Sequence, residues 1–241
     1  MGIRRFVTAF AAAMGIAAAA GSALAQDFRG MSLEDPRILS TQPTEPDKLE
    51  IVIDLQGRAS VPLGSMDVKG TNGQYYEFFS GGFGVSGEVA LLFPVGTKWH
   101  IGPYISIGWD GYGAGHRSGT ENTIDMSDDL NVGTYLVGPR AVLQMGRRGQ
   151  LDLRMGIGAA QYSKVDGSVT TLGVTQEGTM FKSSTAFAFD VGLRFNILLG
   201  PAFIDLGIDI RSQGGPAGGD FSSDRGTMVC LGLEFGIGVR F

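Results

Sequence analysis

The chain has 241 residues, 39 of them glycine, and a formal net charge of −5. Glycine disfavours helices, so the composition argues against a helical protein, and the negative charge argues against nucleic acid as a partner. The single cysteine, Cys230, excludes an internal disulfide and a cysteine-based metal framework. Gly-x-Gly runs lie inside alternating segments with no helix after them, so they do not predict a nucleotide site. We therefore expect no metal and no cofactor.

The first 25 residues have the pattern of a secretory signal peptide. Arg4 and Arg5 precede an apolar run, and Ala23, Leu24 and Ala25 supply small residues for cleavage. The apolar run is too short for a membrane helix. We predict a signal peptide over 1–25, an irregular periplasmic leader over 26–48 and an outer-membrane β-barrel domain over 49–241.

Eight segments with alternating apolar residues follow, and each predicts a β-strand. The last one, 228–241, has apolar side chains at every odd position and small or charged ones at most even positions. It is longer than the roughly 9–11 residues that a strand needs to cross a bilayer. The predicted strands cover 49–62, 78–93, 98–110, 131–146, 150–162, 183–197, 202–211 and 228–241.

The connections between these segments alternate in length, with short turns at 94–97, 146–149 and 199–201. The other connections are long and polar, at 63–77, 111–130, 163–182 and 212–226. Short turns at one end and long loops at the other are typical of an outer-membrane barrel. The sequence therefore predicts an all-β fold, an eight-stranded antiparallel up-and-down transmembrane β-barrel with periplasmic turns and extracellular loops.

Aromatic residues mark the predicted membrane boundaries. Trp99 and Trp109 share a face and lie ten residues apart, which spans about 25 Å along a tilted strand. This matches the height of the lipid-facing band, and indole rings favour its two edges. We predict outward-facing interface aromatics at Trp99, Trp109, Phe79, Phe93, Phe187, Phe195 and Phe241.

The opposite face of each strand carries charges that must then line the lumen. An isolated buried ion costs several kcal/mol, so these charges must pair, and an arginine fork can bind two carboxylates at once. An eight-stranded barrel is only wide enough for its side chains to fill. We predict a closed ionic plug, with static pairing as the default and gating by partner exchange as the alternative. Its predicted members are Asp54, Glu88, Arg140, Arg154, Asp190, Arg194, Asp205 and Glu234.

The pattern as a whole resembles the small eight-stranded outer-membrane barrel superfamily that includes the OmpA barrel, OmpX, OmpW and the opacity proteins. The terminal Phe241 resembles the signal that the barrel-assembly machinery recognises. This resemblance implies a bacterial outer-membrane location, contact with lipid and lipopolysaccharide, and a monomer. It favours a non-enzymatic envelope or surface role, or a narrow porin-like channel, and a surface adhesin acting through the loops is an alternative.

A lipid A-modifying enzyme is the other alternative. Pro103 and Pro139 are expected to face each other, and missing hydrogen bonds between their strands resemble the proline-flanked gateways of the lipid A palmitoyltransferase. The long loop above carries His116, Ser118 and Glu121, a set suited to acyl transfer or hydrolysis. The His-x-Ser stretch resembles that of the lipid A deacylases, although Gly119 stands where that family has asparagine.

Overall fold

The computed structural model describes residues 48–68, 71–118, 122–222 and 226–241. The predicted signal peptide and almost all of the predicted leader lie outside these ranges, as does Glu121. The described residues form β1 (Glu50–Leu63), β2 (Ser65–Val68), β3 (Thr71–Gln74), α1 (Tyr75–Phe78), β4 (Phe79–Val95), β5 (Trp99–Ala114), β6 (His116–Ser118), β7 (Asn122–Met126), β8 (Leu130–Met145), β9 (Gly149–Tyr162), β10 (Val165–Thr171), β11 (Val174–Lys182), β12 (Ser184–Leu199), β13 (Ala202–Gly214), β14 (Ala217–Gly218) and β15 (Thr227–Arg240).

Eight of these strands close into a barrel in the order β1, β15, β13, β12, β9, β8, β5, β4. All neighbours are antiparallel, and β1 closes the ring by pairing with both β4 and β15. Each barrel strand lies within three residues of its predicted bounds at either end, except that β5 runs four residues further. The predicted fold is therefore confirmed.

The barrel has an apolar exterior and a polar middle. Along β1, β5 and β13 the exposed positions are mainly apolar and alternate with buried ones that include Asp54, Arg58, Asp110 and Asp205. This inverts the arrangement of a water-soluble protein, and closure leaves no unpaired edge facing lipid. The exterior is thus that of a transmembrane barrel. None of the helical structure in the described residues is long and apolar enough to cross a membrane.

One end of the barrel, the turn end, carries the three short connections, and the other end, the loop end, carries the long ones. The long connections are folded, which the sequence did not predict. Strands β14, β11, β10, β7 and β6 form a second sheet, and β2 pairs with β3 beside α1. We call this set of elements the cap. It folds because its short strands bury apolar residues against the barrel end, among them Ile124, Val169, Met180 and Phe181.

A β-bulge near the loop end of β4 corrects one predicted aromatic. Phe79 pairs with Ala114 whereas Gly82 pairs with Tyr112, so β4 has one more residue than β5 across this interval. An extra residue reverses the inward and outward faces beyond it. Phe79 was predicted to face lipid, but it is fully buried inside the barrel end, where its ring lies 6.2 Å from that of Phe181.

Candidate functional site

The lumen is filled by three layers of side chains. At the loop end, apolar residues of the barrel and cap form one cluster, the loop-end core, which includes Phe79, Tyr112, Leu130, Tyr162, Phe181 and Met228. At the turn end, a smaller cluster forms the turn-end core, made of Val52, Ala90, Leu92, Tyr104, Val142, Leu198 and Phe203. Between them lie five arginines and eight carboxylates, which we call the ionic layer. Its members are Arg58, Arg140, Arg154, Arg194, Arg211, Asp54, Glu88, Asp110, Asp152, Asp190, Asp205, Asp209 and Glu234.

Arg140 joins two walls of the barrel on the turn side of the ionic layer. Its Nη1 donates to Asp54 at 2.7 Å, and its Nε and Nη2 donate to Asp152 at 3.0 and 2.5 Å. Its Nη1 also lies 3.6 Å from a carboxylate oxygen of Glu88. One fork therefore binds carboxylates from β1, β4 and β9, a geometry that arginine's planar guanidinium supports.

Glu88 and Glu234 hold the next two arginines. Arg194 donates to Glu234 at 2.9 Å and to Glu88 at 2.7 and 3.1 Å. Arg154 bridges the same two glutamates, and its Nε lies 3.2 Å from Asp190. These contacts cross the full width of the lumen, because the four glutamate and arginine residues come from β4, β9, β12 and β15.

A second group of ion pairs lies nearer the loop end. Arg58 binds Asp110 and donates to Asp209 at 3.1 Å. Arg211 donates to Asp110 at 3.0 Å and lies 3.5 Å from Asp190, which links this group to Arg154. Arg58, Asp110, Asp209 and Arg211 are not among the eight predicted members, although they lie on the same inward face. The alternation indicated that they face the lumen, but not which charges would meet.

Asp205 does not join the network in which the sequence placed it. It is 6% exposed, and neither carboxylate oxygen has a hydrogen-bond partner within the described part of the chain. Its cross-strand neighbours are Asn196 and Gly236, neither of which brings a positive charge. The other seven predicted members each contact an opposite charge.

The predicted outward aromatics other than Phe79 face the exterior. Trp99 and Trp109 are half-exposed on β5, and Phe93, Phe187, Phe195 and Phe241 also lie on the outer surface. Their positions at the two membrane boundaries stay a prediction.

Pro103 and Pro139 face each other across β5 and β8, which confirms the predicted register. The predicted gap between these two strands is wrong, because their pairing runs without a break. Facing residues in a non-hydrogen-bonded pair direct their nitrogens to the strands on their other sides. The pairing is interrupted instead on the far side of each proline strand. Between β4 and β5 the break lies at 91–92 opposite 102–103, and between β8 and β9 it lies at 138–139 opposite 155–156.

The prolines are also far from the predicted catalytic residues. Pro103 lies four residues from the turn end of β5, and His116 lies thirteen residues further along the chain. Thirteen extended residues cover about 40 Å. The prediction of one site that combines the proline pair with His116 and Ser118 is therefore wrong.

His116 and Ser118 do meet each other, together with an acid that the sequence did not single out. They lie on β6, not in an irregular loop as expected, and β6 pairs with β7. The Nε2 atom of His116 lies 2.8 Å from Ser118 Oγ, and Nδ1 binds the carboxylate of Asp125. The predicted acid, Glu121, lies outside the described residues. Only the cross-strand register, which the sequence does not give, identifies Asp125.

Other polar contacts fix the shape of the cap. Lys164 donates to Asp166 at 2.7 Å and holds the pKa of that carboxyl below its usual range. The backbone N–H of Asp166 donates to Asp128 at 3.0 Å, which ties β10 to the chain before β8. Across the described ranges, no three His, Cys, Asp or Glu side chains are arranged to hold a metal ion.

Comparison with known proteins gives similarity in structure alone. No protein-family model and no curated protein sequence matches the chain. Ail, the attachment invasion locus protein of Yersinia pestis, is 16% identical over 80% of this chain and 98% of its own, with a TM-score of 0.39. Neisserial surface protein A is 11% identical over 80% and 97%, with a TM-score of 0.38. The outer-membrane protein OprG of Pseudomonas aeruginosa is 10% identical over 81% and 96%, with a TM-score of 0.40.

Similarities at this level of sequence identity do not indicate a function. The fold is established by the closed barrel itself, and location in an outer membrane follows from its apolar exterior, a surface that lipid covers.

Proposed function

We propose that this protein is a non-conducting surface protein of a Gram-negative outer membrane, in which a sealed barrel anchors a folded extracellular cap. The observation that carries the proposal is the filling of the lumen. The ionic layer is closed on both sides by apolar cores, and the loop-end core is continuous with the cap.

Opening the filled lumen would require a large free energy. Each of the five arginines in the ionic layer contacts at least two carboxylates, among them Arg140 with Asp54 and Asp152. Separating one buried partner from its pair costs about 3–5 kcal/mol. A narrow porin-like channel gated by partner exchange would have to meet this cost and also part both apolar cores. A static plug therefore fits the packing better than a gate.

Conductance across planar lipid bilayers tests this proposal. The purified barrel should give no discrete conductance steps. Arg140→Ala should also give none, because both apolar cores remain in place. Reproducible steps from the unaltered protein would refute the sealed lumen, and steps that appear only in Arg140→Ala would support the gate instead.

Export and assembly complete the proposal. The signal peptide predicted over 1–25 directs the chain to the periplasm, and β15, which ends beside the exposed Phe241, supplies the strand that the barrel-assembly machinery binds. The folded barrel is a monomer in contact with lipid and lipopolysaccharide. A Phe241→Ala variant expressed in cells should accumulate less in the outer membrane, measured by fractionation, while a Leu199→Ala variant on the same lipid-facing surface should not.

Adhesion through the cap is a second candidate, favoured by the hairpin between β10 and β11. Leu172 at its tip is 92% exposed and has a φ of 51°, and the nearby Val174 is also exposed. A leucine in the left-handed region lowers the stability of the fold by roughly 1–2 kcal/mol. Because the side chain is exposed, packing within the chain does not offset this loss. Contact with an outside partner explains both features.

A cell-attachment assay tests this candidate. Bacteria carrying Leu172→Asn together with Val174→Thr should attach less to an epithelial cell layer than bacteria carrying the unaltered protein. Ser127→Ala, an exposed change directly after β7, serves as the control. Equal attachment by all three strains would exclude the hairpin tip as the contact.

A further inference from the structure

The β6–β7 hairpin of the cap brings a hydroxyl, an imidazole and a carboxylate into one line. His116 and Ser118 lie two residues apart on one strand, so their side chains share a face. Asp125 is the cross-strand partner of His116. Ser118 Oγ lies 2.8 Å from His116 Nε2, and Asp125 binds Nδ1 of the same ring. The order nucleophile, base and orienting acid is that of a serine hydrolase.

We propose that Ser118, His116 and Asp125 form an ester-hydrolysing site on the outer face of the cap. With Nδ1–H donating to Asp125, Nε2 is free to accept a proton. Ser118 Oγ attacks the ester carbonyl carbon and gives its proton to His116. The carbon–oxygen bond of the ester breaks, and the leaving alcohol takes that proton. Water, deprotonated by His116, then attacks the acyl group on Ser118, releasing the carboxylic acid and restoring the hydroxyl.

A rigid frame supports the hairpin. Arg117, between the two catalytic residues, turns to the other face of β6, where it pairs with Glu77 at 3.3 Å. Its guanidinium also lies 5.1 Å from the centre of the Phe78 ring. These contacts hold β6 against α1. The ring of His116 and the carboxylate of Asp125 remain about half-exposed, so water and a substrate can reach them.

The location of the site indicates which class of ester can be its substrate. Trp109 lies on the outward face of β5, and Ala114 ends that strand five residues further on. Five tilted residues rise about 12 Å, and β6 follows Ala114 after one residue. The ester carbonyls of membrane lipids, at the boundary that Trp109 is predicted to mark, lie below this level. We therefore assign short-chain acyl esters carried by soluble molecules or by surface saccharides as the substrates.

Covalent labelling by a fluorophosphonate probe tests the proposal on the folded barrel in lipid nanodiscs. The probe reacts with an activated serine, and peptide mass spectrometry locates it. Label should collect on Ser118 at least about tenfold faster than on Ser127, because a positioned general base contributes roughly 10²-fold or more. Ser127 is the matched control, since it is an exposed serine directly after β7 and two residues after Asp125. The chain has only two histidines, and His100 is buried at the turn end.

Four variants separate the roles of the residues. Ser118→Ala should remove the label at that position. His116→Gln should slow labelling of Ser118 to the rate of Ser127. Asp125→Asn should slow it in part, whereas Asp125→Glu, which keeps a carboxylate, should restore most of the rate. Rescue by glutamate distinguishes orientation of His116 from a merely structural effect of position 125.

Two outcomes would overturn the proposal. One is equal labelling of Ser118 and Ser127 in the unaltered protein, and the other is labelling of Ser118 that His116→Gln leaves unchanged. Hydrolysis of 4-nitrophenyl acetate should follow the same order of variants as the labelling. Lipid A isolated from cells with and without the gene should have the same mass spectrum, and the loss of an acyl chain would refute the assigned substrate class.

Discussion

The ionic layer and the loop-end core close the same lumen by different means. The ionic layer joins strands around the barrel through ion pairs, such as Arg154 between Glu88 and Glu234. The loop-end core uses apolar side chains and draws eight of its eighteen buried residues from the cap, as where Phe181 of β11 meets Phe79 of β4. The first belongs wholly to the barrel, whereas the second depends on the folding of the long connections.

This difference has a consequence for stability. Removing one charged side chain from the ionic layer leaves its partners unpaired in a region that water does not reach. Because those partners lie on several strands, the stability of the whole barrel should fall. Removing an apolar side chain from the loop-end core leaves a cavity whose cost depends on how far the cap can relax. The barrel and the cap should therefore respond to separate substitutions.

The largest effect should come from Glu88→Ala. Glu88 contacts Arg194 at 2.7 Å, lies 3.6 Å from Arg140 and also binds Arg154. Its removal leaves three buried guanidiniums short of negative charge, so the free energy of unfolding should fall by about 3–5 kcal/mol. Urea unfolding of the barrel in lipid vesicles measures it. Glu177→Ala, an exposed change on β11, should stay within about 0.5 kcal/mol; a similar small loss for Glu88→Ala would contradict the account of the ionic layer.

A smaller and more local effect should follow Phe181→Ala. The side chain is almost fully buried in the loop-end core, and such truncations cost about 3 kcal/mol or more in a rigid site. Part of this should be recovered by relaxation of the cap. Limited proteolysis should cut the cap faster while urea unfolding of the barrel changes less than in Glu88→Ala. Val174→Ala, an exposed change on the same strand, is the control, and equal proteolysis of the two variants would count against a packed cap.

The barrel wall beside the ionic layer offers a third comparison. A side chain at Gly138 would clash with the carbonyl oxygen of Met155 on β9, whereas one at Gly87 would meet open space. Gly138→Ala should therefore cost about 1–3 kcal/mol, the usual range for overpacking, and Gly87→Ala should be close to neutral. Urea unfolding compares the two directly. Equal stability would show that the wall at Pro139 is less closely packed than its geometry indicates.

The smallest expected effect is a gain. Leu172→Asn replaces a leucine at positive φ by a residue that tolerates the left-handed region. The β10–β11 hairpin should become more stable by roughly 1 kcal/mol, seen as slower proteolysis at its tip. Faster proteolysis at the tip would mean that Leu172 stabilises the cap, and it would count against a role for Leu172 in binding an outside partner.

The barrel could be predicted from the sequence because alternation over 13–17 residues determines both the strand and its buried face. The lumen charges followed from the same rule, since Arg140 and Asp152 lie on inward positions. The rule fails where one residue is inserted, as at the bulge that turns Phe79 inward. It also gives no information on Asp205, whose lack of a partner depends on which side chains lie across the lumen.

The cap could not be predicted in the same way. Its strands β6, β7, β10 and β14 have two to seven residues, too few for alternation to be distinguished from an irregular loop. Their pairing order depends on contacts between residues far apart in the chain, such as Gly167 of β10 with Met126 of β7. The meeting of His116 with Asp125 has the same origin, so the sequence showed the first two members of the hydrolytic site but not the third.

The sealed lumen can be tested most directly through the chain's single cysteine. Cys230 is buried inside the barrel, where the Tyr112 hydroxyl donates to its Sγ at 3.1 Å. A membrane-impermeant maleimide should not label Cys230 in the folded protein in nanodiscs, and it should label Leu172→Cys in a Cys230→Ser background within minutes. Labelling of Cys230 at a comparable rate would mean that water and solutes enter the lumen from the loop end, and it would contradict the closed barrel on which the proposed function depends.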